Sequence, residues 1–328
     1  MRAAILHAKG DARIVELDKP ECGPRDVLVK TVRSGICGTD VNAVGIDPDC
    51  EFGHESAGYI TEMGSEVEDF KIGDRVFVQS VTACAPGCSC KMGGFSEFIR
   101  VPDAKVDYNL FILPDNMSWD EGALIEPFAV GTRGKNVPGA KPGDHVVIYG
   151  AGSIGLSCLS GLVAQGIEPV VVVRSDKRRA LLEKMGAIIC DITEENLHEF
   201  LKKVFGTTTD RIGFPAIDVD IVVDCAGVPN IVDDFINMGK EHSRLSIVGV
   251  NPEPVPVPLM WMMSRELIIQ GASAYDNEDI FEVIDNLASG RTHMTDIITH
   301  HFKFDDISEA LKTAADRSQA IKVIVDME

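Results

Sequence analysis

His145-Val146-Val147-Ile148-Tyr149-Gly150-Ala151-Gly152-Ser153-Ile154-Gly155 is the stretch that decides the reading of this chain. An apolar run ends at Gly150, the glycines at 150, 152 and 155 fit G-x-G-x-x-G, and Leu156 to Gly166 has the apolar spacing of a buried helix. Strand, turn and helix in that order make a cradle for a pyrophosphate. Gly150 turns the chain, Gly152 lets backbone approach the phosphates, and Gly155 lets the helix pack closely on the strand. The phosphates then sit at the helix N-terminus, beside Ser153 and Ile154. A glycine pattern alone is weak. Here a second apolar strand, Pro169 to Val173, completes a β-α-β unit and favours a dinucleotide site over a plain glycine turn.

Outward from this motif the chain changes character. Before about residue 112, short apolar runs (Ala3–Leu6, Val27–Arg33, Ala57–Glu62, Arg75–Gln79, Phe95–Val101) alternate with Gly, Pro and Asp, which predicts a compact β-barrel-like domain. Trp119 to Gly134 reads as helix. Further strands are expected at Ala187–Cys190, Ile221–Cys225, Leu245–Gly249 and Leu267–Gly271, with helices such as Lys177–Met185 and Leu197–Phe205 between them. That alternation implies an α/β fold with a doubly wound parallel sheet. The tail reads as helices Ile280–Ala288 and Ile307–Ala315 and a final strand, Lys322–Asp326. The proline run Pro252–Pro258 cannot lie inside a helix and suits an edge or an oligomer contact.

Length and composition set bounds. The 328 residues suggest about two domains. A net charge of -20 argues against nucleic acid or an anionic membrane as partner, since phosphate binding needs a basic face. No apolar run approaches the ~20 residues of a membrane span, and the N-terminus lacks the apolar core of a signal peptide. Nine cysteines without secretory signals point to reduced thiols or metal ligands, and the cytoplasm is the expected compartment.

Four groups offer metal ligands: Cys37 in Gly35-Ile36-Cys37-Gly38-Thr39-Asp40, the pair His54-Glu55, and Glu126 before Pro127. Thiolate, imidazole and carboxylate suit zinc, and a catalytic zinc keeps one position open. On residue type alone, a core cysteine, a satisfied histidine and surface acids fit as well.

The context of these residues resembles a known family, the zinc-containing medium-chain dehydrogenases of the alcohol and polyol dehydrogenase type. Gly53-His54-Glu55-Ser56-Ala57-Gly58 with Gly64, Val67, Phe70 and Gly73-Asp74-Arg75-Val76 is similar to its zinc signature. Residues 35–40 resemble its first ligand motif, and Leu124-Ile125-Glu126-Pro127 the third ligand motif of its polyol branch. The motifs run in family order along essentially the whole chain. The resemblance implies a GroES-like catalytic domain, residues 1–127 and 271–328, interrupted by a Rossmann domain, residues 128–270. It makes Cys37, His54 and Glu126 zinc ligands, and Glu55 a ligand or a group exchanging with water. Thr39 would hydrogen-bond the bound alcohol, and Asp40 would orient His54. The implied activity is hydride transfer between a nicotinamide and a secondary alcohol, polyol or cyclic alcohol and its ketone, in a homodimer or homotetramer.

Three features depart from the family. Asn42 replaces its relay histidine, so the proton must leave by the cofactor ribose, water or Glu55. The family's structural zinc lobe has four cysteines, whereas here Cys84, Cys88 and Cys90 stand alone, so no structural zinc is expected. The segment from Cys37 to His54 is short, which suggests an open substrate cleft.

The cofactor reading turns on Arg174. The second strand ends in Arg174-Ser175, about 20 residues past the glycines, where an NAD enzyme places an acid for the ribose 2′-hydroxyl. Arg174, Ser175 and Arg178 would instead attract a 2′-phosphate, which favours NADP(H). NAD(H) is the alternative, with Asp176 in the acid's role. Further contacts are expected from Thr132, from Cys225, Val248 and Val250 at strand ends, and from Ala272 and Ser273. Lys322 near the C-terminus could reach the cofactor but reads better as an exposed lysine, and His300-His301 read as structural. A zinc-free quinone or enone reductase of the same superfamily is the competing function, disfavoured because it does not need this ligand set; a non-catalytic protein that merely retains the ligands is a third.

Overall fold

The computed structural model describes residues 1–80, 93–292 and 294–328, and at Asp176 the backbone alone. Cys84, Cys88 and Cys90 lie outside the described residues, and so does the expectation about a structural zinc. The chain forms two compact units, one of Met1–Glu126 with Met294–Glu328, the other beginning at Pro127.

The first unit is built mainly from antiparallel strands, with Ile298–Lys303 and Lys322–Asp326 as a parallel pair. Arg2–Ala8 and Asp11–Glu16 make a hairpin, with Cys50–Glu51 on the other side of Arg2–Ala8. Its two-residue turn places Gly10 at φ +78°, the left-handed conformation such a turn demands. A seven-stranded sheet follows, with Val27–Gly35 near its centre. Glu55–Met63, Arg75–Gln79 and Leu110–Ile112 extend it on one side, and Lys322–Asp326 and Ile298–Lys303 on the other; Phe98–Val101 also pairs with Val27–Gly35. Two apolar clusters fill it, one around Phe52, Phe95 and Val325, the other around Val29, Ile60 and Val76.

The second unit is a six-stranded parallel sheet in the order Ile188–Asp191, Val170–Val173, Val146–Tyr149, Ile221–Asp224, Arg244–Ile247, Ile268–Gly271. Every residue of the strands Val170–Val173, Val146–Tyr149 and Ile221–Asp224 is buried. Sheets covered on both faces read as unbroken apolar runs for this reason. Chain order reverses between Val146–Tyr149 and Ile221–Asp224, as in a doubly wound fold. A hairpin, Thr207–Thr209 with Pro215–Ile217, and a short helix, Leu259–Ser264, were not legible in the sequence. Residues 252–258 form no strand or helix; Pro258 caps that helix.

The boundary between units departs from the sequence reading at one end. The helix Trp119–Asn136 carries Pro127 inside it, and the first division falls there. The return to the first unit comes at Met294 rather than 271. The helix Asn277–Ala288 explains this: Asp279 accepts from the Asn136 amide at 2.8 Å, and Glu282 pairs with the fully buried Lys135 at 2.7 Å.

Candidate functional site

The metal-ligand candidates are assembled by the central strand pair of the first unit. Gly35 and Glu55 face each other across it. A Cβ on Gly35 would lie 2.0 Å from Glu55 Oε2, so only glycine leaves room for that carboxylate. Beyond Gly35 the chain turns into the one-turn helix Gly38–Asn42. Fully buried Asp40 accepts from the Cys37 amide at 2.8 Å through Oδ2, while its Oδ1 stands 3.5 Å from His54 Nδ1. One side chain thus fixes the cysteine's backbone and faces the imidazole, leaving Nε2 for another partner.

Cys37, His54 and Glu55 offer ligand atoms that all lie within 4.8 Å of one another. The donor chemistry fits zinc. Asp40 Oδ1 and His54 Nδ1 are both buried without a hydrogen bond of ordinary length, as in a site whose charge balance includes a cation. Burial disfavours the His54 imidazolium, but Asp40, with Cys37 and Glu126, outweighs it and holds the pKa well above the usual histidine value. A metal would take the place of that proton.

Glu126 is buried on the helix Trp119–Asn136 and stands outside this trio. Its carboxyl is pushed up to about 7, by burial first, with His54 opposing and Glu55 reinforcing the rise. Glu55 carries a second surprise. Lys322 donates to both its oxygens at 2.6 Å and to the Ile36 carbonyl at 3.1 Å. Lys322 is 3% exposed, which corrects its reading as a surface lysine. It opens the strand Lys322–Asp326, whose next three residues are apolar and buried. Burial opposes its charge, but Glu55 and Cys37 keep its pKa above the ordinary lysine value. His301 Nε2 lies 3.4 Å from Asp120 Oδ2.

Thr39 is half-buried on the short helix, two residues from Cys37. Asn42 is tied elsewhere: its amide donates to the Gly38 carbonyl at 2.8 Å and its oxygen accepts from Lys9 at 2.9 Å. Among the described residues one other cluster could hold a metal, His145 with Asp218 and Asp220. Lys240 already pairs with both acids at 2.5 and 2.7 Å.

In the second unit the three glycines have distinct surroundings. Gly150 lies at φ +99°, and Gly152 caps the helix Ser153–Ala164 with open space where a Cβ would be. At Gly155 a Cβ would fall 1.9 Å from the Gly150 carbonyl. Ser153 Oγ is buried and unpartnered, while Ile154 is half-buried beside it. Arg174 and Ser175 are exposed at the end of Val170–Val173, and the Arg178 guanidinium donates to the Ala151 carbonyl within the glycine loop. Burial lowers the Arg178 pKa. Cys225 follows its strand directly, with its amide on the Tyr149 carbonyl at 3.0 Å. Val248 is half-buried and Val250 is 83% exposed. Ala272 is buried, Ser273 exposed, and Thr132 buried near Gly161. Asp224, which the sequence reading passed over, is buried at the centre of this group of strand ends.

Comparison with known proteins bears on both units. Residues 23–110 match the alcohol dehydrogenase GroES-like domain and residues 153–289 the zinc-binding dehydrogenase model. The sorbitol dehydrogenase of Ovis aries is 31% identical over 346 residues, covering 98% of this chain and 95% of that protein. The chain belongs to the zinc-containing medium-chain dehydrogenases of the sorbitol dehydrogenase type. The sorbitol dehydrogenase of Bacillus subtilis (strain 168) is 29% identical over 99% of this dehydrogenase and 97% of its own length. Among solved structures, the 2R,3R-butanediol dehydrogenase of Bacillus subtilis superposes with TM-score 0.87 at 25% identity, covering 100% and 99% of the two chains. A structure assigned as a zinc-binding dehydrogenase from Sinorhizobium meliloti 1021, bound to NADP, superposes with TM-score 0.84 at 26% identity over 99% of each chain. The dehydrogenase is accordingly an oxidoreductase of the alcohol/polyol class that uses zinc and a nicotinamide, with a GroES-like and a Rossmann domain. No helix among its described residues is long and apolar enough to cross a membrane.

Proposed function

We propose that this dehydrogenase transfers a hydride between NADP(H) and a secondary alcohol, polyol or cyclic alcohol and its ketone. The observation that carries this reading is the convergence of Cys37, His54 and Glu55, whose ligand atoms all lie within 4.8 Å of one another. Cys37, His54 and Glu126 are the proposed zinc ligands, with Glu55 as the acid that joins or leaves the set. Zinc in that set supplies a Lewis acid that acidifies an alcohol hydroxyl and polarises a ketone.

The chain's own groups do the rest. Asp40 holds the His54 ring so that Nε2 faces the metal. Thr39 Oγ accepts the alcohol proton and passes it to water, because an amide at Asn42 does not titrate and both its ends are already bonded. Lys322 pairs with both oxygens of Glu55 when that carboxylate is not a ligand. In the second unit the turn at Gly150–Gly155 and the helix Ser153–Ala164 take the pyrophosphate. Arg174 and Ser175 take the 2′-phosphate. Support for the phosphorylated cofactor comes from the exposed Arg174, the anchored Arg178 and the NADP-bound relative.

We also infer a cytoplasmic homodimer or homotetramer. The edge strand Ile268–Gly271 has no outer neighbour among the described residues, and Leu259, Met260 and Met263 are 75%, 62% and 71% exposed in the adjoining sequence. Sedimentation measures this directly, and a monomer at micromolar concentration refutes it. The deciding experiment for function is a hydride-transfer screen with NADP and NAD in parallel across secondary, polyol and cyclic alcohols, with zinc measured in the same sample. NADP-dependent oxidation lost on chelation supports the reading. Zinc-free protein reducing enones would establish the competing reductase instead.

A further inference from the structure

The crevice of a doubly wound sheet opens where chain order reverses, between the strands Val146–Tyr149 and Ile221–Asp224. Tyr149 and Asp224 are opposite each other in register. The first strand leads into the glycine turn, which forms one wall. The second leads into Cys225-Ala226-Gly227, the opposite wall.

That wall is folded around one carboxylate. Asp224, 6% exposed, accepts from both the Ala226 and the Gly227 amides through Oδ1, each at 2.8 Å. Its own carbonyl accepts from Val248 at 3.0 Å and Gly249 at 2.8 Å, which ties the next strand end to the same point. The result is tight packing on two sides. A Cβ on Gly150 would lie 3.3 Å from Ala226 Cβ. Gly227, at φ +66°, would place one 2.5 Å from the Val250 carbonyl, and Gly249 one 2.3 Å from the Gly227 nitrogen. Burial raises the Asp224 pKa and the two amides oppose the rise.

This arrangement has a consequence for anion binding. Successive backbone amides at a strand end commonly form a concave anion site. Here two such amides are already bonded to the protein's own carboxylate, so the wall offers an anion neither of them. The first amides of the helix Ser153–Ala164 have no partner within the helix and remain for the phosphates.

We propose that Asp224 is a positioning residue for the dinucleotide: it pins the Cys225–Gly227 loop against Gly150 and removes its amides from competition for the phosphates. The proposal rests on the dinucleotide reading of the glycine turn. Asp224→Ala frees both amides and the loop, whereas Asp224→Asn keeps an acceptor oxygen in place.

The test uses the zinc-loaded full chain titrated with NADPH and, separately, NADH by fluorescence. Asp224→Ala is expected to weaken binding of the preferred cofactor about tenfold, from the loss of two charge-assisted bonds. Asp224→Asn should stay within about threefold of the native protein, since it loses charge but not the acceptor. Cofactor KM should rise in Asp224→Ala with zinc content and alcohol KM unchanged, a split that general loosening of the fold would not produce. Amide exchange on the native protein avoids dependence on any variant's folding: Ala226 and Gly227 should exchange slowly and be slowed further by the bound cofactor. Native cofactor affinity in Asp224→Ala, or free exchange at both amides with and without cofactor, overturns the proposal. If the native protein binds neither NADPH nor NADH, the dinucleotide reading itself fails.

Discussion

The two compact units obtain their chemistry by opposite means. In the unit of Met1–Glu126 and Met294–Glu328, the reactive groups are ionisable side chains, most of them buried: Cys37, Asp40, His54, Glu55, Glu126 and Lys322. They come from positions as far apart as 37 and 322 in the chain. In the unit from Pro127, the reactive surface is backbone, shaped by glycines at 150, 152, 155, 227 and 249. A side-chain site concentrates charge where water is absent and must balance it by pairing. A backbone site needs room and direction more than charge. The first kind should fail through electrostatics when altered, and the second through geometry.

The largest contrast is expected at the ligands themselves. His54→Ala or Cys37→Ser should release zinc and, with several kcal/mol of Lewis-acid stabilisation gone, lower kcat on the order of a thousandfold. NADPH affinity by fluorescence should hold, since the cofactor's proposed contacts lie in the other unit. A variant with full zinc content and native kcat would show that the pocket is not the metal centre.

Next in size is Lys322→Met. It strands Glu55 as a buried carboxylate without a partner, which costs about 3–5 kcal/mol. Denaturant unfolding should register that loss, and the double variant Lys322→Met/Glu55→Gln should recover most of it, because a neutral pair has no unpaired charge. If the double variant is as unstable as the single one, the pair's role is packing and not charge balance.

What was legible in the sequence follows the same division. The parallel sheet was readable because its inner strands are short, mainly apolar runs, such as Val170-Val171-Val172-Val173, and its turn is contiguous in sequence. Cys37, His54 and Glu55 could be singled out by residue type within local motifs. Lys322 could not, because its partner is 267 residues away and a lone lysine is far more often at the surface. The helix Asn277–Ala288 was readable as a helix but not as part of the second unit, since Asp279 and Glu282 show their partners only in three dimensions. Asp224 was overlooked because an acid at a strand end looks like solvent-facing punctuation until its amide partners are known.

A smaller effect tests whether the backbone site carries any charge selection of its own. Arg174 is exposed, so its contribution is that of a single charge-assisted contact. Arg174→Ala should reduce the preference for NADP over NAD about tenfold, read as the ratio of kcat/KM for the two cofactors. Thermal stability should not change, as the side chain is solvated. Unaltered preference would move the discrimination to Ser175 or Arg178.

The smallest effect concerns the side-chain site without its metal. Glu126 has its carboxyl raised to about 7 in the folded chain, from an ordinary glutamate value of 4.5. Between those limits the native state binds more protons than the unfolded state, so stability must fall as pH rises. His54, also raised, acts in the same direction as the pH passes its ordinary value and on toward its native one. In chelator-treated protein, the Glu126 contribution should reduce unfolding free energy by up to about 1 kcal/mol per pH unit across pH 5 to 7. Glu126→Gln has no proton to lose and should flatten that slope, whereas zinc should abolish it by replacing protons with a cation. Denaturation midpoints at pH 5, 6 and 7 decide the matter. An unchanged slope in Glu126→Gln would mean that the carboxyl is ionised throughout and that the buried charge of this unit is balanced by Lys322 alone.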